Sequence, residues 1–485
     1  MRSAPRVAAL LSAATVAISG LAFAAVPSRI HVDVELNLSA SGDWHAGEPG
    51  VAISPRNPRN LVAVWPEQDA TGIYRNPATG TFDTLTGTLG YDADPAASRC
   101  GVAVSGDAGQ TWRRSVLPAQ TAQSTLCADA TIAAGPDGTF YAAVITFAQP
   151  TMPVPGVTPG TLPHLTNVEP ARGSADVVIR STDGGRTWSS PPVDAIGNRT
   201  AADRARYAPN TSPEIGGEGT CDRPWITVDQ QTDTVYLVGT ADAIQFNGST
   251  KNESWVTASH TGARSFGTVY PVDSPQFPQS GAAAIAAGHG LLAVAYSGHR
   301  ADQSTDGVVF ETSRNQGRTF RRHTFAAPTT SSAPFGIYLA GDPAHAGHYA
   351  VAVPGSGDTL LVFVTRDGGA RWSRAKVNVG TDRPWIAFSP HGSLGVMGRG
   401  TDSQGAQIVR AAFSFDGGAH FTRPVQVNST PSPPLKPGTL TLYDDLSWIA
   451  LSDRYAYVAW GDDRTGPRNL NGENNVWVAR LRIPD

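Results

Sequence analysis

Apolar residues along the chain come in short runs separated by turn residues, and the runs arrive in sets. Gly50 to Ile53 opens one set, a tight turn follows, and Leu61 to Trp65 forms a second run. A third run leads into a polar turn and a fourth leaves it, which is the pattern of short strands joined by tight connections. The same opening recurs at Ala130–Ala133, Pro224–Thr227, Ala282–Ile285, Gly336–Leu339, Pro384–Ala387 and Ser447–Ala450. Second runs such as Tyr455 to Trp460 follow in step.

Seven sets of about four strands predict an all-β chain folded as a β-propeller with seven four-stranded blades, a count favoured over six. The last set stops after its third strand, Val476–Leu481. Residues Ile30–Leu36 near the other end are predicted to supply the missing fourth strand, which would close the ring and remove its open edge. In such a blade the first-to-second and third-to-fourth turns share one face. The long insertions, residues 67–99, 148–174 and 189–220, then fall on the opposite face, over blades one to three. Loops raised on a rigid scaffold are where binding and catalysis usually sit.

The polar turn between third and fourth strands repeats one motif. Ser105, Asp107, Gly109, Thr111 and Trp112 match Ser181, Asp183, Gly185, Thr187 and Trp188 at the same spacing. Weaker copies run from Ser313 to Phe320, with Asn315 in place of Asp, from Thr365 to Trp372 and from Ser414 to Phe421. A degenerate copy spans Ser259–Phe266, with Thr261 at the Asp position. A short Asp side chain can bond turn amides, Gly supplies a positive φ and the aromatic packs, so these aspartates read as turn locks and not as catalysts. The pattern resembles the Asp-box, or bacterial neuraminidase repeat, of sialidase-like β-propellers. Beyond the boxes, the stretches Glu48–Pro55 and Trp460–Arg464 look like secreted bacterial proteins of exo-α-sialidase type, and the resemblance spans roughly residues 45–481.

Composition narrows the partners. With 37 Lys and Arg against 41 Asp and Glu, the net charge is −4, which argues against nucleic acid. Arg2 and Arg6 precede an apolar run from Val7 to Ala25 that ends in Ala22, Phe23 and Ala24, the form of a cleaved signal peptide. No second stretch approaches a membrane span, so residues 26–485 are expected as a single exported, soluble propeller domain and a monomer. The three cysteines, Cys100, Cys127 and Cys221, fit no metal or redox spacing, so one pair is expected to bridge or the thiols to be buried. His345 and His348 read as a solvated turn. Neither a metal site nor a cofactor motif is expected: GxxxxGK[ST], HExxH and GxSxG are absent.

The candidate chemistry lies where the innermost strands begin: Glu48, Asp129, Asp222 with Arg223, Asp382 with Arg383, and Asp444 with Asp445. Second-strand exits add Trp65, Glu67, His299 with Arg300, Arg399, and Asp462 and Asp463 with Arg464. Arginine forks suit a sugar carboxylate, and two carboxylates in unlike environments can divide acid and base or nucleophile roles. On this reading Glu48, Asp129, Asp222, Arg223, Asp382, Arg383 and Arg464 are the catalytic candidates. Trp65, Glu67, Arg300, Arg399 and Asp445 are the candidates for binding substrate. The segments Asp222–Ile226 and Asp382–Ile386 share the sequence Asp-Arg-Pro-Trp-Ile. That duplication leaves open a second reading, in which each Asp-Arg pair braces neighbouring blades.

For a sialidase, the resemblance implies removal of terminal sialic acid with retention. An arginine triad, which Arg223, Arg383 and Arg464 could form, would hold the carboxylate. A Tyr–Glu pair would be the nucleophile, with Tyr443 or Tyr207 beside Glu218 or Glu48 as candidates. The Phe-Arg-Ile-Pro motif of that family is absent near the N-terminus. The expectation is a secreted glycoside hydrolase acting on an extracellular glycan, with a non-catalytic glycan- or protein-binding propeller or a polysaccharide lyase as alternatives.

Overall fold

The inner and middle strands of the blades alternate their side chains between two neighbouring sheets, which explains why they are apolar on both faces, whereas outermost strands such as Arg113–Val116 are largely exposed. From one strand, Val62 and Val64 pack with Ile132, Phe140 and Val144, while Leu61, Ala63 and Trp65 pack in the cluster that holds Tyr457 and Ala459. The period of two thus sends alternate residues to the blade before and the blade after. A computed structural model describes residues 30–39, 44–69, 98–119, 126–147, 175–195, 221–244, 250–302, 305, 307–327, 337–434, 446–464 and 475–484. The predicted signal segment and most of the three long insertions lie outside these residues.

The described strands form seven antiparallel sheets, each running first to fourth strand outward, and so a seven-bladed propeller. The inner strands of blades 1 to 7 are Gly50–Ser54, Leu126–Ala134, Cys221–Asp229, Ala284–Gly288, Tyr338–Gly341, Asp382–Phe388 and Trp448–Leu451. As expected, His31–Asn37 completes blade 7 by pairing with Asn475–Arg482, from His31 opposite Arg482 to Asn37 opposite Trp477. Arg480 grips Asp33 at 2.8 and 2.9 Å and also donates to the Ala108 carbonyl of blade 1 at 2.8 Å. A disulfide between Cys100 and Cys127 joins blade 1 to blade 2, with Cα atoms 5.6 Å apart.

The Ser-x-Asp turns are built as the motif predicts. Asp107 Oδ1 accepts from the Ser105 hydroxyl (2.8 Å) and from the amides of Gln110 and Thr111, and Oδ2 accepts from the Thr111 hydroxyl at 2.6 Å. Ser105 Oγ accepts from Gly109 N at 2.8 Å, and Trp112 Nε1 closes on the Gly109 carbonyl. Gly109 sits at φ 79°, where a side chain would also strike Tyr457. The turn at Asp183 repeats these bonds within 0.2 Å. In the degenerate copy the Thr261 hydroxyl takes over, accepting from Ser265 N at 3.0 Å. These turns share a face with the first-to-second turns, because Ala108 N donates to Arg59 O at 2.9 Å and Asn60 Nδ2 to Gly184 O at 3.1 Å.

Candidate functional site

At the opposite face, inner strands enter the channel through a shared irregularity. In blade 3 the register jumps from Asp222 opposite Thr240 to Trp225 opposite Val238, so two residues face one. Blade 6 jumps from Asp382 opposite Arg399 to Trp385 opposite Met397, and blade 2 jumps between Ala128 and Thr131. In blade 1, Trp44–Ala46 ends with Ala46 opposite Glu67 and pairing resumes at Gly50 opposite Val64, which makes the two segments one strand broken by the same bulge.

The bulged residue is charged in all four blades and left-handed in all four. Glu48, Asp129, Arg223 and Arg383 have φ values of 50°, 47°, 51° and 45°. Holding a non-glycine residue there costs about 1–3 kcal/mol, a strain that clusters at functional sites. Three of the four precede proline, where an extended backbone is the usual bias, so the strand must impose the conformation. Successive blades are linked through these residues. The amide of Asp129 donates to Glu48 Oε2 at 3.3 Å, and the amide of Arg223 donates to Asp129 Oδ2 at 3.1 Å. Each of these two carboxylates therefore grips the bulge of the next blade. Glu48 is 4% exposed while Asp129 is half-buried, so the two carboxylates have unlike surroundings. Across the ring, Arg383 Nη1 bonds Asp382 Oδ2 at 2.5 Å.

Just beyond the bulges, the channel holds a cavity of about 270 Å³ lined by residues of all seven inner strands. Its lining side chains are almost all apolar, with backbone groups between them, and aromatic rings meet across it. Trp385 stacks on Trp448 at 3.9 Å and meets Trp225 edge-on at 5.1 Å and Tyr338 at 5.2 Å. The duplicated Asp-Arg-Pro-Trp segment now has a packing reason. Blades 3 and 6 face each other across the axis, and their tryptophans meet there.

The second-strand candidates are placed differently. Trp65 and Glu67 are fully buried; Glu67 accepts from Trp65 Nε1 at 2.9 Å and pairs with Arg99 and Arg114. Arg399 is also fully buried, donating to Ser447 Oγ at 2.7 Å and to Leu446 O at 3.1 Å. Arg464 pairs with Asp462 and Glu35 and lies 4.0 Å from the Trp477 ring centre. Glu67 and Arg464 tie strands within their own blades and Arg399 ties blade 6 to blade 7, so Trp65, Glu67 and Arg399 present no surface to a substrate. Arg300 is exposed and pairs with Asp302. Asp445, Asp444, Tyr443, Tyr207 and Glu218 lie outside the described residues, as does the side chain of Asp222.

Two further clusters lie away from the predicted site residues. Tyr296 donates to Glu311 at 2.7 Å and Arg322 to the same carboxylate oxygen at 2.6 Å, wholly inside blade 4. Burial, opposed by Arg322 and Tyr296, raises Glu311 to about 7. The second corrects the solvated-turn reading for His348 but not for His345, which is 66% exposed. Both Nδ1 atoms converge on Asp342 Oδ2, at 2.8 and 2.7 Å, and His348 is only 6% exposed. The Asp-x-x-His-x-x-His spacing was the available signal.

Fold and mouth together define a seven-bladed propeller with a charged, strained rim over an aromatic-filled axis. In backbone course it is similar to a protein of unknown function from Dyadobacter fermentans, 15% identical over 94% of this chain and 99% of that one, TM-score 0.49. It is also similar to the NanB sialidase from Streptococcus pneumoniae, at 10% identity, 94% and 99% coverage and TM-score 0.46. A third is an α-L-arabinanase from Penicillium chrysogenum, at 12% identity, 94% and 98% coverage and TM-score 0.45. No protein-family model and no curated protein sequence matches the chain.

Proposed function

We propose that this chain is an exported glycoside hydrolase of the sialidase-like type, acting at the channel mouth on an extracellular glycan that ends in an acidic sugar. The observation that carries the reading is the bulge series: carboxylates at Glu48 and Asp129 on adjoining blades, followed by the guanidinium of Arg223. In this reading the enclosed Glu48 and the half-buried Asp129 divide the acid and base or nucleophile roles, because unlike surroundings separate their proton affinities. Arg223 and Arg383 take the sugar carboxylate, a task suited to a planar fork. The Ser-x-Asp turns support a place among Asp-box propellers. The disulfide supports export, since such bonds persist in oxidising compartments.

A second reading, a glycan-binding propeller without catalysis, is favoured by one observation. Glu48 and Asp129 each hold a backbone amide, and Asp382 is already paired with Arg383. Hydrolysis of a fluorogenic sialoside by the purified mature protein separates the two. Catalysis predicts release that falls about 10²–10⁴-fold in Asp129→Asn, the range for loss of a general acid or base, and falls again in Arg383→Ala. No release from the wild type ends the sialidase reading. Glycan-array binding lost in Arg223→Ala would then establish the second.

A further inference from the structure

We propose that Asp342, His345 and His348 form a binding site for a divalent transition-metal ion of the zinc type, on the face opposite the channel mouth. The three residues follow the inner strand of blade 5 in one turn, and their ligand atoms all lie within 4.8 Å of one another. Two imidazoles and one carboxylate make a donor set that suits zinc and leaves a fourth position open.

His348 is held through both ring nitrogens. Its Nδ1 lies 2.7 Å from Asp342 Oδ2 and its Nε2 faces the carbonyl of Gly417 in blade 6 at 3.2 Å. With Nδ1 on an ion, the carbonyl would hold the proton on Nε2, and an imidazole N–H held by a carbonyl is the usual outer support of a metal-binding histidine.

The rest of the turn is shaped to the same end. Asp342 Oδ1 is occupied by the Ala344 amide at 2.8 Å, which directs Oδ2 at the two rings. Gly392 of blade 6 closes the back of the cluster at φ 88°; a Cβ there would stand 2.9 Å from Asp342 Oδ2 and 3.4 Å from the His345 ring. Metal–ligand bonds of about 2.0–2.1 Å need the donor atoms to spread by about half an ångström. His345, 66% exposed, has room to rotate outward. The bound ion would tie the blade 5 turn to blade 6 through His348 and Gly417.

The test uses tag-free mature protein stripped with chelator and titrated with Zn²⁺ by calorimetry and thermal melting. One saturable ion per chain is expected, with a melting temperature raised by a few degrees at about 100-fold excess over Kd. Co²⁺ should give the visible bands of a low-symmetry, nitrogen-ligated site. His345→Ala removes an exposed ligand without touching the core and should weaken binding at least tenfold. His260→Ala in blade 3 should bind as the wild type does. Absence of saturable Zn²⁺ binding, or equal binding by wild type and His345→Ala, would overturn the proposal.

Discussion

Asp107 and Asp183 show how much one side chain can fix when all of its partners lie within a few residues. Burial pushes their carboxyls up, but hydrogen bonds from the Thr, Ser and amide groups of the same turn outweigh it and hold both at about 2, against an ordinary 3.8. An acid that is stronger in the folded state contributes stability that is complete above its unfolded value and disappears as pH falls through its folded value. The turns should therefore loosen between about pH 4 and pH 2. Carboxyl chemical shifts should titrate near 2, and Asp107→Asn should flatten the fall of melting temperature across that interval. Because every bond spans at most four residues, this part of the molecule was legible in the sequence. The rim was not. Asp129 N finds Glu48 across 81 residues and Arg223 N finds Asp129 across 94, so their left-handed backbones depend on partners that only the closed ring supplies. The Asp342 cluster lies between these cases, with local spacing visible and Gly417 supplied by the fold.

At the scale of the strand, the hydrophobic pattern foretold each inner strand but not where its bulge would fall or what its tryptophan would meet. The period of two marks which residues are apolar, whereas the axis is shaped by which blades stand opposite. Trp385 is the centre of that contact, with Trp448, Trp225 and Tyr338 around it. Trp385→Ala should cost about 3 kcal/mol in urea unfolding, the lower end for losing a large aromatic, because one side of the ring borders the cavity. Trp385→Phe should recover a substantial part of that loss. If this aromatic cluster also sets the depth of the mouth, Trp385→Ala should change glycan binding without altering the titration of Asp107. The second-strand residues fared differently. Trp65, Glu67 and Arg399 carry the charges and rings expected of a sugar site, yet the alternation that buries both faces of each blade places them inside.

The closed ring is the property that no single blade has, and it rests on the pairing of the two ends of the described chain. His31–Asn37 covers the outer edge of Asn475–Arg482, Leu38 N reaches Val476 O at 2.7 Å, and Asp33 neutralises Arg480. Removing the strand would expose a long edge of unpaired amides and carbonyls, an invitation to pair with another copy. It would also leave Arg480, 8% exposed, without its carboxylate. Deletion of residues 26–39 should yield protein that elutes as aggregate in size-exclusion chromatography. Asp33→Ala keeps the strand and loses only the ion pair; Asp33 is 23% exposed, so solvent screens part of the interaction and a loss of about 1–2 kcal/mol is expected. That variant should stay monodisperse and melt a few degrees lower. Closure by the strand itself predicts this separation of outcomes, aggregation for the deletion and a modest shift for the point variant. Equal behaviour of the two would mean that the Arg480–Asp33 pair, and not the strand's backbone, holds the ring shut.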